Sequence, residues 1–322
     1  MDIKKTSIQN FIQSFKSCQD DQKEAFFWTL STVSSILNDE LTIVFKNVGG
    51  MDALVNSFVQ SPKDIQKNLL TPIMYMAISY LFRDRLGKNS EFLKSLTNFL
   101  DEDDIDLTLN VAGIILSLAG YISNKEIVKT ALENKIFPII RNNQSSKGYM
   151  DKILDCLMRA SSIDTSKSVL LEFGTKEIIQ PFVDDENSPY HFISCVIQAF
   201  LSSNDINQNN EFGSNPISPK VISKILDVVD TFIEAQSYIY ADGFFLICYH
   251  VLKAIGSLAR NEANMKELKN NGIVKKIIEF IKSRKDNLLK ISEKTIEELS
   301  TLIWILSFDQ DCKNEFLSNG IV

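Results

Sequence analysis

A short phrase that recurs along the chain is the feature that most constrains its fold. In each copy a small or polar residue, often glycine, precedes an apolar pair and a short apolar helix. The copies begin at Gly50, Glu91, Lys135, Gly174, Lys220, Gly272 and Gly320. Their spacing of roughly 40 to 50 residues lies in the range of helical repeat arrays, in which each unit buries its apolar face against the next. We therefore expect a stack of similar units.

The segments between these copies carry apolar residues at helical spacing. Four such stripes are Phe26, Leu30, Val33 and Leu37; Leu107, Val111, Ile114, Leu118 and Ile122; Phe245, Tyr249, Leu252 and Ile255; and Ile296, Leu299, Ile303 and Leu306. No segment alternates apolar and polar residues for the length that a sheet needs. With 12 glycines and 7 prolines in 322 residues, the chain also has little material for hairpin turns. The pattern predicts helices throughout.

Three local features complete the domain organisation. The glycines that open several copies are predicted to take a positive φ after a helix, which costs glycine no steric strain. The polar stretch from Ser202 to Pro219 is predicted to be a surface insertion. The amphipathic stripe of Ile8, Phe11, Ile12 and Phe15 is interpreted as a cap on the first repeat, with a membrane-surface helix as the alternative.

The last copy of the phrase, Gly320–Val322, stops just after it opens. We therefore expect one repeat domain over residues 1–322 that is a fragment truncated inside a repeat. The layer containing Ile303, Trp304 and Leu306 should then expose apolar surface that a following repeat would cover. The alternative is that this face docks onto a second molecule.

Composition and charge narrow the classes of partner. The formal net charge is −7, which does not suit general nucleic-acid binding but does suit a basic partner segment. Five isolated cysteines indicate a reducing compartment, with buried thiols acting as small apolar residues. The sequence shows no signal-type or membrane-spanning apolar run. The cytoplasm is the expected location, with the nucleus as the alternative.

Residues that could support chemistry have simpler structural explanations. His191 and Cys195 stand four apart, as metal ligands can, but no third ligand is near, so we interpret them as packing residues. Cys248 and His250 point apart on a helix. The sequence contains no phosphate-binding loop motif. We expect no catalytic residue, no cofactor and no metal. The acidic run Asp101–Asp106 is interpreted as helix N-terminal charge, with a patch for a polybasic tail as the alternative.

The segment Leu258–Asn264, followed by Leu268 and then Asn271–Val274, resembles an armadillo repeat. Within that class, Ala254–Ile281 is similar to the smg GDP-dissociation stimulator family. The resemblance implies an all-α, right-handed armadillo-like solenoid of about six to seven imperfect repeats. The sequence also departs from the importin-α pattern, in which a Trp is followed four residues later by an Asn. Thr32 follows Trp28 and Phe308 follows Trp304 at that spacing, so we do not expect a receptor for nuclear localisation signals.

The resemblance implies a protein-binding function without chemistry of its own. The partner would be a small GTPase with a basic, prenylated tail. The chain would either promote the release of GDP from this GTPase or act as its chaperone. The alternative is a generic scaffold that binds an extended peptide or a partner protein in its concave groove. The candidate groove residues lie at or just after the end of the third helix in the matched repeat. They are Lys253, Ser257, Arg260, Asn261 and Asn264. The structural alternative for Asn261 and Asn264 is that they cap the following helix.

Overall fold

The computed structural model describes residues 2–19, 22–29, 47, 49–78, 80–100, 104–142, 147–202, 217–234, 238–241, 244–284 and 293–321. These residues are helical apart from turns and one short hairpin, so the predicted all-α fold is confirmed. Leu30, Val33 and Leu37 of the first stripe lie outside the described residues. Most of the polar insertion also does.

The described residues group into two compact units, Met1–Phe173 and Gly174–Val322. The helices of the first unit are α1 (Asp2–Ser17), α2 (Gly50–Gln60), α3 (Lys63–Ile78), α4 (Tyr80–Lys88), α5 (Ser90–Thr97), α6 (Ile105–Leu118), α7 (Lys125–Lys129), α8 (Phe137–Asn142), α9 (Lys147–Ser161) and α10 (Asp164–Glu172); residues 22–29 are also helical. A 3-10 turn, Ala119–Tyr121, follows α6, and a π-helical segment, Thr130–Ile136, joins α7 to α8. The expectation of one repeat domain over 1–322 stays a prediction.

The second unit has the same kind of elements. Its helices are α11 (Thr175–Asp184), α12 (His191–Leu201), α13 (Pro219–Glu234), α14 (Cys248–Ala259), α15 (Glu262–Asn270), α16 (Ile273–Arg284), α17 (Glu293–Leu306) and α18 (Gln310–Ser318). Its strands, β1 (Tyr238–Ala241) and β2 (Phe244–Ile247), pair antiparallel, with Tyr238 opposite Ile247. Phe245 therefore lies on a strand, and the prediction of a helix at that residue is wrong. The aromatic run on both sides of Asp242–Gly243 is typical of a hairpin.

Long apolar helices form the core of each unit. In the first unit α6 packs between α3 and α9, and in the second α14 packs between α12 and α17. Leu107, Val111, Ile114 and Leu118 are all buried on α6, as their spacing predicts. On α17 the stripe is only partly correct. Leu299 and Leu306 are buried, whereas Ile303 is half-buried and Ile296 is 42% exposed.

Four glycines take the left-handed backbone conformation predicted for the repeat openings. Gly49, Gly174, Gly272 and Gly320 have φ between 68° and 78°. Gly320 ends α18 in a motif where the Ile321 N–H donates to the Phe316 carbonyl at 3.1 Å. This bond satisfies a carbonyl that a helix end would otherwise leave unpaired. In the first copy the left-handed residue is Gly49, one position before the predicted Gly50.

Within each unit, ion pairs join residues that are about one repeat apart in sequence. Ion pairs join Arg85 to Asp52, Lys152 to Asp106, Lys125 to Glu172, Lys220 to Glu186, Lys276 to Asp230 and Lys269 to Asp309. Their partners lie 33 to 47 residues apart in sequence. This separation is close to one repeat, which supports the period found in the sequence.

The amphipathic N-terminal helix packs as an end cap does. Ile12 and Phe15 of α1 are buried. The ring of Phe15 lies 5.6 Å from the ring of Phe27, and that of Phe11 lies 5.1 Å from Phe26. The apolar face of α1 therefore covers the helical segment 22–29 within the first unit.

Candidate partner-binding surface

The third helix of a repeat was expected to line an open groove, and two of these helices do not. Every residue of α12 is buried, and so is every residue of α6 from Leu107 to Leu118 except Asn110. Both helices are apolar on all sides, and such a helix is stable only when it is covered. A partner therefore finds no surface on α12 and almost none on α6. In the second unit, exposed side chains remain on α17, while α14 keeps only the half-buried Tyr249 and Lys253.

Lys253 and Arg260 lie on the accessible side of α14 and at its end. Arg260 is exposed. The Lys253 side chain is 29% exposed, and its Nζ lies 3.9 Å from Oε1 of Glu298 on α17. Arg260 is thus accessible and Lys253 is partly accessible. Their role in binding stays a prediction.

Ser257 and Asn264 do not face a groove, and the expectation that they would is corrected. Ser257 is 5% exposed and Asn264 only 1%. The Oδ1 of Asn264 accepts a hydrogen bond from the backbone N–H of Ile217 at 2.9 Å. That N–H would otherwise be buried without a partner, at a cost of about 1–3 kcal/mol. Asn264 thus fastens the segment before α13 to the next repeat.

Asn261 serves as a helix cap. It has an extended backbone, and its Oδ1 accepts from the backbone N–H of Asn264 at 3.1 Å, which caps the N-terminus of α15. Asparagine is among the best residues at this position. The geometry therefore matches the structural alternative for Asn261, and the side chain is still half-exposed.

An exposed aromatic pair lies at the end of α17. The exposure of Trp304 was predicted, whereas its pairing with Phe308 was not. Trp304 is 64% exposed and Phe308 is 74% exposed. Their ring centroids lie 4.8 Å apart with an edge-to-face angle of 77°. Ile296 stands eight residues before Trp304, or about 2.2 helical turns, so the two side chains lie about 80° apart around α17. These exposed apolar residues outside the buried stripe were the signal that could have revealed the pair.

Trp304 was predicted to be exposed together with Ile303 and Leu306, and the structure separates the three. Trp304 projects outward, Ile303 is half-buried, and Leu306 is fully buried. Among the described residues, the exposed large apolar side chains are Trp28, Ile105, Ile296, Trp304, Phe308 and Leu317. Four of these six lie between Ile296 and Leu317, so the exposed apolar surface is concentrated on α17 and α18.

Charged groups at the start of α18 are mutually compensated. Lys269 Nζ donates to both carboxylate oxygens of Asp309 at 2.8 Å and to Asp311 at 3.0 Å. Asp309 also accepts from the backbone N–H groups of Asp311 and Cys312, at 3.1 Å each. The hydrogen bond from Lys269 and that from Cys312 hold the pKa of Asp309 below its usual range.

Burial raises the pKa of four of the five cysteine thiols. Burial raises the pKa of Cys195 to about 12, and burial likewise raises the pKa of Cys156, Cys248 and Cys312 to about 12. The Sγ of Cys195 lies 3.8 Å from the nearer ring nitrogen of His191, whose Nδ1 is 3.2 Å from the Phe182 carbonyl oxygen. A thiol with this pKa carries almost no thiolate at neutral pH.

The described part of the chain contains no group of three or more His, Cys, Asp or Glu side chains placed to hold a metal ion. None of its helices combines the length and the apolar character needed to cross a bilayer.

Comparison with known proteins yields structural similarity only. No family model and no curated protein matches the sequence. Among solved structures, an engineered protein is 12% identical, with a TM-score of 0.41 over 98% of this chain and 82% of its own. A designed armadillo repeat protein is 14% identical, with a TM-score of 0.37 over 93% and 99% of the two chains.

A third similar structure comes from work on the interaction between cadherin and beta-catenin. It is 13% identical, with a TM-score of 0.42, and the match covers 99% of this chain and 56% of that one. Armadillo-repeat proteins are thus among the structures to which this chain is similar. The fold is therefore described from this chain's own helices, from the ion pairs between residues about one repeat apart, and from the left-handed glycines at the ends of helices.

Proposed function

We propose that this chain is a non-enzymatic protein-binding scaffold whose partner surface is the exposed face of α17, together with Lys253 of α14 and the following Arg260. The observation that carries the proposal is the pair of exposed rings at Trp304 and Phe308. Exposed apolar patches on a soluble fold are typical of interaction sites, because leaving them in water costs free energy. Aromatic residues also dominate the binding energy of many interfaces.

We include two cations in this proposed surface. Arg260 is exposed at the end of α14, and Lys253 bridges α14 to α17 through Glu298. Many interfaces combine an apolar centre with a polar rim. Of the five predicted groove residues, Lys253, Arg260 and Asn261 remain accessible and belong to the proposed surface.

A matched pair of variants tests the scaffold. Ile296 is 42% exposed on α17 and Ile105 is 43% exposed in the first unit. Cross-linking in cell extract, followed by mass spectrometry, should lose its specific partners with Ile296→Ser combined with Trp304→Ser. Ile105→Ser should retain them. If both variants keep the same partners, the proposed surface is wrong.

A small GTPase with a basic, prenylated tail is the partner that we propose within this function. Two observations favour it: the similarity of Ala254–Ile281 to the smg GDP-dissociation stimulator family, and the net charge of −7. The test is the release of fluorescent GDP from a panel of purified prenylated GTPases. Faster release that requires Arg260 and Trp304 supports this partner. Unchanged release across the panel leaves the generic scaffold, which binds an extended peptide or another protein.

A further inference from the structure

The contact between α11 and α12 is polar, although α12 is buried along its whole length. The Nε2 of Gln198 on α12 donates to Oε1 of Gln180 on α11 at 3.0 Å. The Nε2 of Gln180 donates in turn to Oδ1 of Asp184 at 2.8 Å. At the start of α12, Nδ1 of His191 lies 3.2 Å from the Phe182 carbonyl oxygen. Polar groups therefore join the two helices at two levels along α12.

Ser194 lies between these two contacts on the same stripe of α12. It follows His191 by three residues and precedes Gln198 by four, so the three side chains share one face of the helix. Because His191 and Gln198 both contact α11, we place the Ser194 side chain on the face toward α11 as well. Helical residues at this spacing have Cβ atoms about 5–6 Å apart. The side chains of Ser194 and Gln198 are therefore neighbours, and Ser194 is fully buried.

Two polar atoms of this stripe have no hydrogen-bond partner within the part of the chain that the structure describes. They are Oγ of Ser194 and Oε1 of Gln198. The bond from Gln198 to Gln180 fixes the orientation of the amide, so Oε1 stays on the side away from Gln180. A buried polar atom without a partner destabilises a fold, and native proteins contain few of them. Two such atoms on neighbouring side chains indicate a partner that they share.

Other buried serines satisfy their hydroxyl group within their own helix. Ser117 of α6 donates to the Gly113 carbonyl at 2.9 Å, and Ser161 of α9 donates to the Met158 carbonyl at 2.9 Å. This backbone bond is a common one for a serine inside a helix. The Ser194 hydroxyl does not make it. It is therefore available to a group that lies between α11 and α12.

The surroundings of the pair admit only a very small molecule. Ile193, Cys195 and Ile197, which flank the stripe on α12, are fully buried, so a larger ligand would have to displace them. Water suits the two orphan atoms, because it can donate to an amide oxygen and accept from a hydroxyl group. Buried waters typically make about two to four hydrogen bonds to polar groups that otherwise have no partner.

We propose that one ordered water molecule is bound between α11 and α12, where it donates to Oε1 of Gln198 and accepts from Oγ of Ser194. It extends the hydrogen bonds from Asp184 through Gln180 and Gln198 into one chain that ends at Ser194. Such a chain depends on direction as well as distance, so it specifies one register of the two helices. This site is independent of the partner surface on α17.

A crystal structure that resolves ordered water tests the site directly. We expect one water oxygen at about 2.7–3.2 Å from both Oγ of Ser194 and Oε1 of Gln198. The same position should be empty of density in Ser194→Ala. A parent structure in which these two side chains pack against each other or against apolar groups, without a water between them, overturns the inference.

Urea denaturation of a double-mutant cycle tests the same site through stability. Ser194→Ala should raise the equilibrium constant for unfolding about tenfold, because Oε1 of Gln198 then loses its bridged partner. In a Gln198→Met background, the same substitution should have no cost, since the bridged pair is already broken. If Ser194→Ala leaves the parent equally stable or makes it more stable, the hydroxyl is dry and the inference is wrong.

Ser117→Ala is the matched control for this cycle. Both substitutions bring the same gain in helix propensity, but the Ser117 hydroxyl is bonded only to the Gly113 carbonyl of its own helix. Its removal should therefore change the unfolding constant by less than about threefold. A loss as large as that of Ser194→Ala would mean that any buried serine hydroxyl has this value, which would also overturn the inference.

Discussion

The segments Leu258–Ile273 and Leu306–Ile321 share one backbone and differ in chemistry. Both run from the end of a core helix, through a capped helix, to a left-handed glycine. The caps, however, are a neutral amide in the first and a carboxylate in the second. The buried positions hold a polar Asn264 and an apolar Cys312. The comparison shows that the repeat sets the backbone conformation, while the residue type at each buried position depends on the groups that pack against it.

The largest expected loss of stability is at the buried apolar position that the two segments share, Leu268 in the first and Phe316 in the second. Leu268 and Phe316 are both fully buried. Leu268→Ala should lower the free energy of unfolding by about 2–5 kcal/mol and Phe316→Ala by about 3–5 kcal/mol, because each leaves a cavity. Urea denaturation of each variant measures the loss. A loss below 1 kcal/mol at either site would show that the two segments are not equivalent in packing.

The next largest loss of stability is expected at Asn264, and it should exceed the loss at the equivalent position Cys312. Asn264→Ala should cost about 1–3 kcal/mol, because the buried N–H of Ile217 loses its acceptor. Cys312→Ala removes only a sulfur from a packed site and should cost less. Thermal melts of both variants give the difference. Amide exchange at Ile217 should rise in Asn264→Ala alone.

The left-handed glycines should behave alike, since nothing lies within 4 Å of a Cβ built on either one. Gly272→Ala and Gly320→Ala should therefore each cost about 1–2 kcal/mol, from backbone strain alone. Asparagine tolerates this conformation better, so Gly272→Asn should recover part of the loss. An Ala variant as stable as the parent would mean that the turn has another conformation available.

The smallest effect distinguishes the two caps. Asn261→Ala and Asp309→Ala should each cost about 1 kcal/mol at neutral pH. Only Asp309 adds a pH dependence. Its folded-state pKa lies below the unfolded value, so its contribution is present above about pH 4 and is lost as the pH falls through the folded pKa. Acid titration of Asp309→Asn should lack this component, and that of Asn261→Ala should retain it. An identical acid profile for parent and Asp309→Asn would contradict the role of Lys269.

Much of the fold is predictable because it depends on local chemistry. A glycine after a helix, an apolar stripe and an asparagine before an acidic turn all act within a few residues. Accordingly, Gly272, Gly320 and the buried residues of α6 appear where the sequence indicates. The hairpin at Tyr238–Ile247 was missed, although its aromatic residues on both sides of Asp242–Gly243 favour strands.

The candidate surface was less predictable, because exposure depends on distant neighbours. Whether Asn264 faces a groove is decided by Ile217, 47 residues earlier. Whether Trp304 is covered depends on which helix lies beside α17. The spacing of apolar residues along α17 itself does not reveal that neighbour. Spacing along one helix identifies the stripes, and only packing decides which stripe is inside.

The contacts between repeats have a consequence for folding kinetics. Hydrogen bonds such as Lys269 with Asp309 and Asn264 with Ile217 close loops of about one repeat, 40 and 47 residues. The entropy lost on closing a loop grows with its length. Because these loops span one repeat, each repeat added to a unit is joined at the same entropic cost as the one before. Relative contact order therefore falls as repeats are added, and the search for native contacts stays local.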